Sequence, residues 1–212
     1  MGVVDTRDVL SMMNRACEMV IERKDALSAL DAACGDGDHG VSMARGFAAV
    51  AEKLRAAPFV DPSDVFRAAG SALLLSVGGA TGPLLGTFFM EAGKAARAAG
   101  AAGIDTGTLA AMFRAGAEAL CRRGGAKVGE KTLVDALMPA VEAIEASAAA
   151  GESPAAALDK AAKAARSGAT GTASMIARQG KARYLGQRAV GSQDPGANSV
   201  AIILEAFAEA LA

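Results

Sequence analysis

Apolar residues recur every three to four positions through most of the chain, the spacing of one buried face per helix. Val9, Leu10, Met13, Cys17, Val20 and Ile21 predict a helix over residues 6–23, with Thr6 as its N-cap. A short Ala/Leu-rich helix follows at about 25–33, and another at 41–56. Asp61-Pro62 opens the next, with proline in its first turn, running to about Val77. After a Gly78-Gly79-Ala80-Thr81-Gly82-Pro83 turn comes a helix at 84–98. Asp105-Thr106 starts one whose face carries Leu109, Met112, Phe113 and Leu120. Gly124–Gly129 reads as a loop. Residues 132–149 put Leu133, Leu137, Val141 and Ile144 on one face, with a kink expected at Pro139. Ser153-Pro154 begins an Ala-rich helix to about Ser167, and a further helix is expected at about 170–179. Residues 180–198 read as irregular, and the last helix, about 199–211, buries Val200, Ile203, Leu204 and Phe207. No segment alternates as a strand would. Eight or nine helices with short connections imply an all-α, single-domain antiparallel bundle, with no linker dividing residues 1–212.

Composition narrows the functions. The 212 residues are 52% hydrophobic, ample for one core, and the net charge of −1 offers no basic footprint for nucleic acid. With no tryptophan and one tyrosine, stacking platforms for single strands are not expected. Cys17, Cys34 and Cys121 lack metal-type spacing and are expected to be reduced and mostly buried, in a cytoplasmic protein. No signal peptide opens the chain, and a formal myristoylation match at Met1-Gly2 is short enough to arise by chance. Residues 68–90 are free of charge and long enough to span a bilayer, but Gly78, Gly79, Gly82 and Pro83 break them. Two buried half-segments joined by a functional turn fit better, and no membrane association is expected.

The chemistry concentrates in Asp31-Ala-Ala-Cys-Gly-Asp36-Gly-Asp38-His39-Gly40. Three carboxylates this close repel one another and call for a hard cation. Mg²⁺ takes oxygen ligands, commonly carboxylates plus substrate phosphates. Gly35-x-Gly37-x-x-Gly40 matches the dinucleotide fingerprint, but a helix precedes it where that fingerprint needs a strand. Asp36-x-Asp38 resembles the start of a calcium loop, but Phe47 stands at the position that should be glutamate. The bland alternative is an acidic turn between helices. Gly124-Gly-Ala-Lys-Val-Gly129-Glu-Lys131-Thr132 misses a P-loop, because Glu130 separates the second glycine from the lysine and a helix precedes it. It can still present backbone N–H groups to a nucleotide. Lys181, Arg183 and Arg188 could meet phosphates, although most such cations are simply solvated.

Taken in order, these motifs resemble the nucleotide-binding L subunit of dihydroxyacetone kinases. They are Asp31-x4-Asp36-Gly-Asp38-His39-Gly40, Ser76-Val-Gly-Gly-Ala80-Thr81-Gly-Pro, Gly129-Glu-Lys-Thr132-Leu133, Tyr184-Leu-Gly-Gln-Arg188 and Gln193-Asp194-Pro195-Gly196. The resemblance covers essentially the whole chain. It implies an eight-helix antiparallel barrel with ADP or ATP at one end. It casts Asp31, Asp36 and Asp38 as holders of two Mg²⁺. It places nucleotide contacts at His39, Gly40, Val41, Ser42, Ser76, Ala80, Thr81, Gly124, Thr132, Leu133, Lys181, Asp194, Pro195 and Gly196, with Leu133 an apolar wall for adenine. Lys181 stands where arginine is expected, which keeps the charge and loses the bidentate fork. Leu75 stands where some relatives carry serine.

The implied reaction is phosphoryl transfer to a ketose, dihydroxyacetone or a tetrulose, held on a separate K subunit that supplies the acid–base groups. This chain then has no catalytic residue of its own and no activity alone. Its ADP is either a fixed cofactor re-phosphorylated by a phosphotransferase-system phosphoprotein, or ATP exchanges as a substrate. A second copy of the chain is a further candidate partner. The rival classes are a non-catalytic Mg–ADP regulatory module and a plain helical bundle.

Overall fold

A computed structural model describes residues 2–56, 58–100 and 103–212. Among them are nine α-helices: α1 (Thr6–Glu22), α2 (Lys24–Ala32), α3 (His39–Arg55), α4 (Pro62–Ser76), α5 (Thr81–Ala98), α6 (Thr106–Gly124), α7 (Val134–Ala149), α8 (Pro154–Gly171) and α9 (Pro195–Ala210). Helix α1 packs on α3, α3 on α4, and each later helix on the next until α9 returns to α1. Eight helices therefore close a ring. The short α2 stands outside it, against α3. The barrel is filled from its own inner faces. Phe66, Phe89, Phe113 and Phe207 are fully buried, and Phe88 meets both Phe89 and Phe113 edge to face at 5.3 Å between ring centroids.

The connections fix two ends. At one, Val4 pairs with Ile104 through both backbone hydrogen bonds, and Thr106 Oγ1 donates to Glu152 O. Here α1, α4, α6 and α8 begin, capped by Asp5, Asp61, Asp105 and Ser153. At the other end α3, α5, α7 and α9 begin, and the functional residues collect there.

Several boundaries differ from the sequence reading. Asp5 rather than Thr6 caps α1, with Asp8 completing a capping box. The expected helix at 170–179 is absent: α8 runs on to Gly171, a 3₁₀ turn follows at Thr172–Ser174, and Met175–Gly180 are not helical. Helix α9 begins at Pro195 rather than near 199, and Lys181–Ala189 forms a 3₁₀ segment broken at Gly186. Ile21, expected to be buried, is 41% exposed because the inward face of α1 also takes in Met12, Ala16 and Met19.

Helix α7 continues through Pro139. Proline has no N–H to give the Asp135 carbonyl four residues back. That oxygen faces Gly168 of α8, where a Cβ would overlap it and stand 3.0 Å from Ala136 Cα. Alanine at 168 gains about 1 kcal/mol of helix propensity, but forcing a methyl against backbone costs about 1–3 kcal/mol. Gly168→Ala is therefore expected to destabilise, and a urea melt checks it by a lowered midpoint with unchanged slope.

Candidate functional site

The acidic stretch forms the turn between α2 and α3. Cys34 and Gly35 donate their N–H groups to Asp31 O at 3.0 and 2.5 Å, which closes the turn. Asp31, only 9% exposed, accepts the His39 N–H on Oδ2 at 3.2 Å. Asp36 and Asp38 are exposed. One oxygen from each of the three carboxylates lies within 4.8 Å of the others. Three hard oxygen donors in that arrangement fit Mg²⁺ and give no soft or nitrogen ligand for a zinc-type ion. Lys181 reaches across from the 3₁₀ segment to pair with Asp36. Its ammonium holds the Asp36 carboxyl below the usual range, and Asp36 in turn raises Lys181.

The trio opens on a cleft of about 760 Å³ at the end of the barrel. Four helix N-termini line it: His39, Val41 and Ser42 of α3; Thr81, Pro83 and Leu84 of α5; Leu133 and Val134 at the start of α7; Pro195 and Gly196 of α9. The N-caps of α3, α5 and α7 (Asp38, Ala80 and Leu133) make no side-chain capping bond. At the far end every helix start is capped. Here the N-cap side chains leave three helix starts open at the positive ends of their dipoles, although Asp31 takes the His39 N–H of α3 and Thr132 Oγ1 takes the Val134 N–H of α7. That is the architecture of an anion site. Leu84, Leu120, Ala126 and Leu133 add an apolar wall, and Arg45, Arg123, Lys131 and Lys181 are the cations on the lining.

His39 is buried beside this site. Its Nε2 lies 2.8 Å from Ser199 Oγ, and that hydroxyl donates its proton to Pro195 O at 3.1 Å. Ser199 must then accept from His39, so Nε2 carries the hydrogen. Burial lowers the imidazole pKa against the pull of Asp31 and Asp38. That shift favours the neutral ring, in which Nδ1 is the acceptor nitrogen.

Asp194 caps α9 by accepting the Ala197 N–H at 2.7 Å, and its own N–H donates to Thr172 Oγ1 at 2.8 Å. Burial pushes this carboxyl up to about 7, against the lowering by the Ala197 hydrogen bond. The folded state thus binds a proton more tightly than the unfolded one, so stability falls as pH rises from about 4 to 7. Asp194→Asn keeps the cap and is expected to flatten that slope, read from urea midpoints in magnesium-free buffer. Carboxylates held low, such as Asp61 and Asp105, act in the opposite sense and only below pH 4.

All the residues expected in the site line this one cleft except Gly40 and Ser76. Gly40 turns toward α2, and Ser76 Oγ donates back to Ala72 O. Thr132 lines the cleft while its Oγ1 accepts the Val134 N–H. The sequence reading missed Arg45 and Arg123. Arg45 was within reach, since it follows Ser42 by three residues on a helix and so shares its face; its Nε donates to Ser76 O at 3.0 Å. Arg123 carries no such signal. The three cysteines are free, with Cys17 and Cys34 buried and Cys121 partly so. No helix among the described residues is long and apolar enough to cross a membrane.

Comparison with known proteins agrees with this geometry. The family model of the DAK2 domain matches residues 33–209. The ADP-binding subunit DhaL of the PEP-dependent dihydroxyacetone kinase of Escherichia coli is 40% identical over 200 residues, 94% of each chain. The ADP-binding subunit DhaL of the PTS-dependent dihydroxyacetone kinase of Lactococcus lactis is 35% identical over the full length of both. The dihydroxyacetone kinase of C. freundii in complex with AMP-PNP and Mg²⁺ superposes with a TM-score of 0.74 at 27% identity. That match covers 99% of this chain but 35% of the kinase. The chain belongs to the DAK2 domain family, within which it resembles the ADP-binding subunits of dihydroxyacetone kinase over nearly its whole length.

Proposed function

We propose that the chain is the nucleotide-binding L subunit of a two-component dihydroxyacetone-type kinase. It binds Mg–ADP or Mg–ATP and delivers the phosphoryl group to a ketose on a separate K subunit. One observation carries this reading: three carboxylates converge at the mouth of a cleft into which three helix N-termini open with no bond from their own N-cap side chains.

In this reading Asp31, Asp36 and Asp38 hold the magnesium, which when bound neutralises charge on the phosphate oxygens. The first-turn N–H groups of α3 and α5 that are not already bonded within the chain hold the phosphates and orient the terminal one for in-line transfer, and the start of α7, whose first N–H groups are taken by Thr132 and Leu133, contributes its dipole. Lys181, paired with Asp36, lies on the cleft lining where its ammonium could also meet the phosphates. Leu84, Leu120 and Leu133 pack on the base. His39 holds Ser199 through Nε2 and is read as a phosphate or nucleotide contact rather than as a ketose carrier. The groups that activate the ketose hydroxyl belong to the K subunit.

The full-length relatives named above are PEP- or PTS-dependent ADP-binding subunits. That supports ADP as a held cofactor, re-phosphorylated by a phosphotransferase-system phosphoprotein in the cytoplasm. The complex of the larger kinase with AMP-PNP favours the second reading, exchangeable ATP. Reconstitution decides between them. The chain is mixed with a dihydroxyacetone-binding K subunit and given either ATP or a phosphoenolpyruvate-fed phosphoprotein. Ketose phosphate is expected with the phosphoprotein and none from the chain alone. No product with either donor points to a non-catalytic Mg–ADP module.

A further inference from the structure

The nucleotide site as read above leaves Lys131 without a role, although it lies on the cleft lining. Its residue is 1% exposed. Its backbone is left-handed at φ +60°, the only such non-glycine among the described residues. Glycine would hold that conformation without strain, whereas lysine there is strained. Burying an ammonium is a further cost unless it is well paired. The side chain must do something that outweighs both.

Its contacts show what it gathers. Nζ donates to Thr172 O at 2.7 Å and to Ser192 O at 2.5 Å, carbonyls from both ends of the α8–α9 connection. Thr172 Oγ1 in turn accepts the Asp194 N–H, at the cap of α9. On the other side, Asp135 accepts the N–H groups of Gly129 and Thr132 at 2.5 and 2.7 Å, and so fixes the loop that carries the lysine into α7. Among the described residues no carboxylate oxygen lies within ion-pair distance of this ammonium. It is bound by carbonyl dipoles; burial lowers its pKa, and Cys34 and Asp194 act on it in the opposite sense without forming an ion pair.

We propose that Lys131 is a positioning residue for the phosphates: it seats the starts of α7 and α9 around the cleft and supplies a buried positive charge that a phosphate-bearing ligand feels and a bare nucleoside does not. The inference rests on the nucleotide reading above. Its test is calorimetric titration of the full chain with Mg–ADP and with adenosine, for wild type, Lys131→Gln and Lys131→Arg. Glutamine keeps N–H donors without the charge, and arginine keeps the charge. Lys131→Gln is expected to weaken Mg–ADP by about 10–100-fold, the range for hydrogen bonds to charged groups, and adenosine less than about 2-fold. Lys131→Arg is expected to recover most of the preference for ADP. Equal loss for both ligands would make the residue merely structural, and unchanged Mg–ADP affinity in Lys131→Gln would also overturn the proposal. If Lys131→Gln does not fold, as judged by circular dichroism, Lys131→Arg decides: a retained preference for ADP supports the proposal, and a lost one overturns it. Absence of Mg–ADP binding by the wild type would instead reject the nucleotide site itself.

Discussion

Asp31→Asn is expected to lower the Mg²⁺-dependent affinity for ADP by at least about 100-fold, more than the loss usually seen for a residue that only supports a metal ligand. Asp31 is the least exposed of the three carboxylates, and its position is set by the His39 N–H and by the turn closed on its own carbonyl. Asparagine still accepts the His39 N–H, so the turn survives while the metal loses a charged ligand. The same change relieves repulsion among three carboxylates gathered within 4.8 Å. In metal-free buffer the variant is therefore expected to melt at the same temperature as the wild type or slightly above it. Calorimetric titration and thermal melts read the two effects separately. A lowered melting temperature without metal would assign Asp31 to the fold rather than to the ion. Asp36→Asn is expected to weaken binding in the same direction, in part offset because Lys181 is set free.

Gly40→Ala is expected to cost both stability and metal affinity. Gly40 lies in the first turn of α3, where α2 crosses against it. A Cβ there would overlap the Lys24 carbonyl oxygen and stand 2.6 Å from Ser28 Oγ and 2.7 Å from Ser28 N. The helix-propensity gain of about 1 kcal/mol is smaller than the overlap with fixed backbone, because α2 must move as a unit. A net loss of about 2–3 kcal/mol is expected, at the upper end for overpacking, or roughly 4–12 °C in melting temperature for a chain of this size. Asp31 rides on the last turn of α2, so the same displacement pulls it from Asp36 and Asp38. A small-residue need confined to the cleft would leave stability unchanged and lower only nucleotide affinity.

How much of this was legible in the sequence depended on whether the determining contact was local. The faces of α1, α6, α7 and α9 follow from apolar spacing, and Asp61-Pro62 and Ser153-Pro154 mark the starts of α4 and α8. Asp194-Pro195 carries the same signal, but it reads as a turn because Gly196 follows. In the structure it caps α9 by the same Asp-to-N–H bond. The helix expected at 170–179 fails for a tertiary reason. Thr172 spends its hydroxyl on Ala169 O and the Asp194 N–H, and its carbonyl on Lys131, which ends α8 there. The acidic loop announced itself through like charges in sequence. Arg45, Arg123 and the task of Lys131 did not, since each depends on which helix ends the barrel brings together. Gly40 reads as a ligand glycine from its motif, and the fold adds a packing demand on it, since its Cα sits directly against α2.

The central claim, a Mg²⁺-dependent nucleotide site at one end of the barrel, is tested most directly by titrating ADP into the chain after it has been stripped of nucleotide and metal. The account expects one ADP per chain with Mg²⁺ present and binding at least about 100-fold weaker in its absence. No binding under either condition, or equal binding with and without Mg²⁺, would contradict it.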